Sequence, residues 1–172
     1  MADRDWVRVV AVERCPECGL AASEIGTAEL ASRFADEAGA WGRLLGGAGP
    51  EVLRGRPSTA VWSPLEYAAH VRDVMREFDS RIGRVLHESH PRFGWWDHEA
   101  AVLEEDYNGQ DPAAVAEGIR ANAALMAATL AAVPADGWSR TGERRDGEVF
   151  TAAGLGRFAL HEVHHHRRDA GG

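Results

Sequence analysis

The sequence lacks the excess of basic residues that a nucleic-acid partner requires. It contains 19 lysines and arginines against 27 aspartates and glutamates, which gives a formal net charge of −8 at pH 7. Proteins that bind a phosphate backbone need a basic face, because their cations replace the counterions of the phosphates. We therefore predict that nucleic acid is not a partner.

Long apolar runs are also missing. The stretch MADRDWVRVVAVERCPECG has no apolar run of the signal-peptide kind, and no later stretch approaches the roughly 20 apolar residues of a membrane span. These absences predict a cytoplasmic protein without a membrane partner. The 172 residues are nevertheless 45% hydrophobic, which suits one domain with a substantial core.

Cysteine is scarce, since the chain has only Cys15 and Cys18, in the motif CPECG. The motif is similar to one knuckle of a zinc ribbon, but a complete site needs four ligands and the sequence has no second CxxC. Three interpretations stay open: a structural or incidental pair of reduced thiols, a zinc site completed by His, Asp or a second chain, and a redox pair. Because two ligands are too few, we expect no metal on these cysteines in an isolated monomer.

Strand-type alternation is too weak to predict a sheet, whereas helical periodicity recurs in four segments: 26–47, 62–88, 110–134 and 150–170. In the first segment, steps of three and four place apolar residues on one stripe: Leu30, Phe34, Ala38, Trp41 and Leu45. The second opens with a capping box, in which Ser63 is the N-cap and Glu66 lies at N3. Asp111 and Thr151 are the predicted caps of the third and fourth helices.

Four amphipathic helices predict an all-α protein with a four-helix bundle. The joint between the second and third helices is long enough to cross over the bundle, and its residues Trp95 and Trp96, together with Trp62, are candidates to wall a functional cleft. The turn-rich stretch TGERRDGEVF is compatible with a tight loop or a small hairpin. A short strand is predicted for WVRVVAVE, at 6–13.

The C-terminal stretch FALHEVHHHRRDAGG suggests a metal site on a helix. Positions i and i+4 differ by about 40° around a helix axis, so His161 and His165 share one face. Phe158 lies about 60° from His161, which predicts that this face points into the bundle. His70, on the second helix, is the natural third ligand, and three imidazoles suit zinc, nickel or iron. The alternative is a solvated, histidine-rich helix end that interacts favourably with the helix dipole.

Two segments resemble the DinB superfamily, specifically its actinobacterial branch of mycothiol-dependent maleylpyruvate isomerases and mycothiol S-transferases. They are WSPLEYAAHVRDV and GWSRTGERRDGEVFTAAGLGRFALHEVHHHRRD, in this order and at this separation. We therefore divide the chain into an N-terminal extension, 1–26, and a DinB-like bundle, 27–170. In many relatives the fourth helix reads H-D-x-x-H-H-x-x-D, and the corresponding residues here are His161, Glu162, His165, His166 and Asp169.

The resemblance implies a DinB-like bundle with a long crossover between helices 2 and 3, and a metal held by His70, His161 and His165. The divalent metal would be zinc or nickel in the first place, and otherwise iron. A low-molecular-weight thiol of the mycothiol type is the implied cosubstrate, which makes the protein a thiol S-transferase or isomerase acting on a small electrophile.

Alternatives to thiol transfer are metal-dependent hydrolysis and a non-catalytic bundle that binds a metal or a small molecule. Arg157 and Arg168 are candidate cationic contacts for an anionic cosubstrate, or else part of a solvated helix flank. In each case the partner is a small molecule, and the prediction leaves room for a homodimer.

Overall fold

Four long helices form the molecule, as the sequence predicts. The computed structural model describes residues 8, 10, 12–144 and 147–172. The long helices are α1 (Leu30–Gly47), α3 (Pro64–His87), α5 (Pro112–Ala131) and α6 (Ala152–Asp169). Two shorter helices, α2 (Pro50–Arg54) and α4 (His98–Glu104), lie in the connections.

Three of the four long helices begin at a side-chain cap that is visible in the sequence. Ser63 and Glu66 form a complete capping box at the start of α3. Asp111 accepts a hydrogen bond from the Ala114 amide at the start of α5, and Thr151 does the same for Gly154 at the start of α6. These bonds satisfy amides that have no partner within the helix, which fixes where each helix starts.

The order of the helices around the bundle differs from the order along the chain. Helix α1 packs against α5 and α6, and α3 packs against the same two helices. Because α1 and α3 share both neighbours, they lie on opposite sides of the bundle, and so do α5 and α6. Helix α6 is therefore positioned by both α1 and α3, which matters because it carries most of the C-terminal histidines.

The core lies on the stripes that the periodicity indicates. On α1 the buried members of the stripe are Leu30, Phe34, Trp41 and Leu45, while Ala38 packs half-buried against the core. On α3, Val71, Val74, Phe78, Ile82 and Val85 are buried. Phe78 meets Phe158 of α6 with ring centroids 5.1 Å apart, so this contact fixes which side of α6 faces α3.

A small three-stranded sheet packs beside the bundle, although the strand pattern of the sequence is too weak to predict a sheet. Strands β2 (Thr141–Arg144) and β3 (Glu148–Thr151) make the hairpin that the sequence left as one option, and β1 (Arg92–Phe93) pairs with β2 in parallel. The two residues of β1 are too few to show alternation. Gly142 of β2 fits here because a side chain at this position would overlap the ring of Phe93.

The connection between α3 and α5, residues 88–111, is tied to α3 by a buried carboxylate. Asp73 is 1% exposed and accepts a hydrogen bond from the hydroxyl of Tyr107 at 2.6 Å. The guanidinium of Arg72 donates to both carboxylate oxygens of Asp73, at 3.0 and 2.9 Å. Burial acts to raise the pKa of Asp73, but the bonds from Arg72 and Tyr107 outweigh it and hold that pKa below its usual range. The carboxylate is thus ionised and fully engaged.

Replacing Tyr107 with Phe is expected to lower the free energy of unfolding by about 1.5–3 kcal/mol, since a hydrogen bond to a buried charge is lost. Urea unfolding followed by circular dichroism measures the change. Tyr67→Phe is the matched control, because that tyrosine is only half-buried. An unchanged midpoint for Tyr107→Phe would show that Arg72 and Arg76 satisfy Asp73 without the tyrosine.

The segment before α1 packs on the bundle with little regular structure. It contains two 3-10 turns, Ala22–Glu24 and Thr27–Glu29, and buries Cys15, Cys18 and Ile25. Half of the strand predicted at 6–13 lies outside the described residues; Arg8 and Val10, which are described, are helical. The division of the chain at residue 26 stays a prediction.

Across the described residues, no helix combines the length and the hydropathy needed to cross a membrane.

Candidate metal centre

Two groups of metal-ligating side chains lie on α6 and the elements around it. We call His70, Glu162 and His166 the His70 cluster, and Cys15, Cys18, His161 and His165 the cysteine cluster. In each cluster, one candidate ligand atom per residue can be chosen so that all lie within 4.8 Å of one another. No other such group occurs in the part of the chain that the structure describes.

The structure divides the predicted ligands His70, His161 and His165 between these clusters. His161 and His165 come together, as their spacing predicts, but they lie beside the two cysteines. His70 comes together with Glu162 and His166, one position further along α6. The three histidines therefore do not form a single cluster.

Helical geometry explains the division. Phe158 contacts Phe78 and so marks the face of α6 that meets α3. Glu162 is one turn after Phe158 and lies only about 40° from it, with His166 about 40° further round. His161 and His165 lie about 60° and 20° from Phe158 in the opposite direction, so the two pairs flank Phe158 on opposite sides. The spacing Phe158–Glu162–His166 was visible in the sequence, but Phe158–His161–His165 fits one helix face equally well, so spacing alone did not choose the pair that faces His70.

The ring nitrogens of His70 have no hydrogen-bond partner among the residues that the structure describes. The side chain is buried, with only 2% of the residue exposed. Burial, reinforced by the positive charge of His166, lowers the pKa of His70 to about 3, so the ring is neutral. A neutral imidazole with buried, unsatisfied nitrogens is costly unless it binds something.

The carboxylate of Glu162 and the ring of His166 complete the His70 cluster. Oε2 of Glu162 lies 3.6 Å from Nε2 of His166, and Nδ1 of His166 lies 2.9 Å from the carboxylate of Asp169. Burial acts to lower the pKa of His166, but Asp169 and Glu162 outweigh it and raise that pKa to about 9. Without a metal the ring is thus protonated on both nitrogens. Asp169 bonds Nδ1 and turns Nε2 towards the cluster, where a metal ion would replace the Nε2 proton; orienting the ring in this way is the usual role of a carboxylate behind a metal-binding histidine.

Aromatic side chains surround the His70 cluster. The ring of Trp96 stacks on His70 with centroids 5.5 Å apart and an angle of 8° between the planes. Trp62 meets His70 edge-on at 5.2 Å, and Tyr67 stacks on His166 at 5.2 Å. The ring of His98, at the start of α4, lies 5.6 Å from His70. Trp62 and Trp96 thus stand where the sequence predicted a wall, whereas Trp95 is 53% exposed.

The cysteine cluster joins the N-terminal segment to α6. Sγ of Cys15 lies 3.6 Å from Nδ1 of His165. Cys15 and Cys18 are 1% and 6% exposed, and they are free thiols. Burial raises the pKa of the Cys15 thiol, but hydrogen bonds from the Cys18 amide and from His161 outweigh it and lower that pKa to about 6. Burial raises the pKa of Cys18 to about 11, so one thiolate is favoured without a metal.

The two arginines predicted to contact an anionic cosubstrate differ from each other in their surroundings. Nε and one terminal nitrogen of Arg157 donate to the carbonyl of Ile25, which fastens the N-terminal segment. Arg168 is exposed near the end of α6. His164 belongs to neither cluster, since its Nδ1 lies 2.7 Å from Glu37 of α1.

A large groove elsewhere on the molecule contains neither of the two clusters. It lies between α1 and α5, encloses about 900 Å³, and is lined mainly by alanine and glycine, without a histidine or cysteine. The His70 cluster instead lies where α3 and α6 meet beside the connection between α3 and α5, and the cysteine cluster lies between the N-terminal segment and α6.

Comparisons with known proteins agree with this architecture. The sequence profile of the DinB superfamily matches residues 33–170. A search of curated protein sequences finds no match. The solved structure of YfiT from Bacillus subtilis aligns with a TM-score of 0.78 and 17% sequence identity, over 84% of this chain and 83% of that chain. YfiT is described as "a probable metal-dependent hydrolase with an unusual four-helix bundle topology". The match over most of the chain shows that this protein belongs to the DinB superfamily.

Proposed function

We propose that the protein is a metal-dependent enzyme with its reaction centre at the His70 cluster, where a low-molecular-weight thiol of the mycothiol type is transferred to a small electrophile. The main observation in favour of a bound metal is His70, a buried neutral imidazole whose two nitrogens lack hydrogen-bond partners among the described residues. The thiol is supported by the resemblance of the second and fourth helices to mycothiol-dependent relatives.

The residues of the His70 cluster fit a divalent ion. They offer two imidazole nitrogens and one carboxylate oxygen, a donor set that zinc, nickel and iron accept and that leaves room for a substrate. A bound ion would supply Lewis-acid chemistry, lowering the pKa of a coordinated thiol or water. Glu162 stands where many relatives have aspartate, and here its carboxylate is one of the three donors.

The chain's own residues orient the ligands and shape the cleft. Asp169 holds His166 in the orientation that presents Nε2. Trp96 covers one face of the His70 ring and Trp62 packs edge-on against the same ring, and together they exclude water, which strengthens electrostatic interactions inside the cleft. His98 is half-buried beside His70 and is our candidate to accept the proton of the incoming nucleophile.

Hydrolysis is the second candidate function. It is favoured by the similarity to YfiT, whose description names a metal-dependent hydrolase. The same cluster would serve, with water in place of the thiol and His98 again as proton acceptor. The two functions differ in whether a thiol is consumed.

A thiol-dependence assay separates the two functions. Metal-loaded protein is incubated with a panel of electrophiles and, separately, a panel of ester and amide substrates, each with and without mycothiol, glutathione or cysteine. Thiol transfer predicts turnover only with a thiol, and one thiol consumed per product. Turnover without any thiol would instead establish hydrolysis.

Spectroscopy tests the thiol directly at the metal. In the cobalt-loaded Cys15→Ser/Cys18→Ser variant, which has no cysteine, an added thiol should produce a sulfur-to-cobalt charge-transfer band. His70→Ala in the same background is the control and should not give the band. Absence of the band with all three thiols would contradict thiol transfer.

We also propose the location and the partners that the sequence predicts for this enzyme. These are a cytoplasmic location, a small-molecule substrate, no nucleic-acid or membrane partner, and room for a homodimer. Arg168, being exposed, remains a candidate contact for an anionic thiol. Arg157 is committed to the backbone of Ile25, so it is the weaker candidate.

A further inference from the structure

The cysteine cluster has the composition of a closed metal site. It brings two thiols and two imidazoles together from distant parts of the sequence, the CPECG motif and the C-terminal half of α6. Four protein ligands of this kind are characteristic of structural zinc, whereas a catalytic zinc keeps an open position.

We propose that Cys15, Cys18, His161 and His165 hold a structural zinc ion, separate from the ion of the His70 cluster. This reverses the expectation that the cysteines bind no metal in a monomer, which assumed that the chain supplied only two ligands. The structure supplies the other two from α6 of the same chain.

The distances fit tetrahedral zinc. With Zn–S near 2.3 Å and Zn–N near 2.1 Å, sulfur and nitrogen on one tetrahedral ion stand about 3.6 Å apart. Sγ of Cys15 and Nδ1 of His165 are 3.6 Å apart. The other ligand atoms of the cluster lie within 4.8 Å of one another, so only small side-chain shifts separate the cluster from a coordinated state.

The CPECG turn is shaped to present both sulfurs to one point. The amide of Gly19 donates to the carbonyl of Cys15 at 2.8 Å, and the amide of Cys15 donates to the carbonyl of Leu20 at 2.9 Å. Gly19 has φ of +76°, a conformation that favours glycine and that lets the chain turn directly after Cys18. The turn thus forms within the monomer without help from a second knuckle.

Carboxylates stand behind the histidines of the cluster. Nε2 of His165 lies 3.3 Å from Glu17 and 3.6 Å from Asp169, on the opposite side of the ring from Cys15. Nδ1 of His161 lies 3.6 Å from Glu162. Such carboxylates fix the orientation of metal-binding imidazoles. Glu162 is itself a member of the His70 cluster and Asp169 contacts His166 of that cluster, so the zinc site would brace the helix face that carries the reaction centre.

Burial argues against a redox role for the cysteines. Reactive thiols are partly accessible, whereas Cys15 and Cys18 are 1% and 6% exposed. A zinc ion here would fasten the N-terminal segment to α6, adding to its buried side chains, to the contact of Glu17 with His165 and to the bonds from Arg157 to the carbonyl of Ile25.

Metal stoichiometry tests the proposal. Untagged protein is loaded with zinc, freed of excess by gel filtration and analysed by mass spectrometry for metal. We expect about two zinc ions per chain in the wild type, about one in Cys15→Ser/Cys18→Ser, and about one in His70→Ala. His164→Ala, a neighbouring histidine outside both clusters, is the matched control and should keep two.

The cobalt spectrum identifies which site is lost. Cobalt-loaded wild type and His70→Ala should show a thiolate charge-transfer band without any added thiol, and the double serine variant should not. Equal zinc content in the wild type and the double serine variant, or no such band in the wild type, overturns the structural zinc site. If His70→Ala loses an ion but the double serine variant does not, the structural zinc site is wrong. The proposed metal centre at the His70 cluster is then still supported.

A measurement on the unsubstituted chain covers the case in which the serine variant does not fold. Zinc-loaded protein should react with maleimide at neither cysteine, and a chelator should make both reactive within minutes, because the N-terminal segment that buries them loses the ion that fastens it. Equal reaction rates with and without the chelator would show protection by burial alone and would overturn the zinc site. A disulfide, seen as resistance to maleimide after chelation and a mass lower by two hydrogens, would overturn the zinc site in favour of a redox pair.

Discussion

Replacing His70 with alanine is expected to abolish turnover while leaving the protein folded. A metal centre contributes several kcal/mol of transition-state stabilisation, and about 4 kcal/mol corresponds to a loss of about 10³ in kcat/KM. The fold should tolerate the change, because His70 makes no hydrogen bond to another described residue that the substitution could break. The measurements are kcat/KM in the assay of the proposed reaction and the metal content of the same sample.

His164→Ala is the control for this prediction. His164 contacts Glu37 rather than a cluster, so its loss should lower stability modestly and leave both metal content and kcat/KM nearly unchanged. If His70→Ala retained full activity and full metal content, the reaction centre would not be the His70 cluster. If it retained metal but lost activity, His70 would act on the substrate instead of the ion.

Replacing Trp41 with alanine is expected to lower the free energy of unfolding by about 3–5 kcal/mol, the range for removing a large aromatic side chain from a core. Trp41 is fully buried on α1, and its Nε1 donates to the carbonyl of Val163 at 3.1 Å. Val163 lies on α6 between the residues of the two clusters. The substitution therefore removes both core packing and a contact that sets the position of α6.

Urea or guanidinium unfolding of the zinc-loaded protein measures the loss. Trp41→Phe keeps most of the packing but loses the hydrogen bond. The lost bond should lower the free energy of unfolding by about 1–2 kcal/mol, in addition to the cost of burying a smaller ring. Leu125→Ala is the surface control, because that side chain is 60% exposed on α5. A cost below about 1 kcal/mol for Trp41→Ala would contradict its assignment to the core.

The four long helices could be predicted because the signals that form them are local. Side chains three and four positions apart meet on one face, and a cap such as Ser63, Asp111 or Thr151 bonds amides within its own turn. The structure confirms these starts. The strand Arg92–Phe93 could not be predicted in this way, since its pairing with β2 depends on residues about fifty positions further along the chain.

The sequence by itself determined the chemical inventory of this protein: the four helices, the histidines of α6, the third histidine on α3 and the CPECG turn. Only the tertiary structure decided how the ligands are shared. Adjacent residues on a helix differ by about 100° around the axis, so the rotation of α6 about its own axis decides whether His161 and His165 or Glu162 and His166 are the pair that faces His70. That rotation is set by packing contacts such as Phe158 with Phe78 and Trp41 with Val163, which lie far apart in sequence. With Glu162 and His166 turned to α3, His161 and His165 are left to face the N-terminal cysteines.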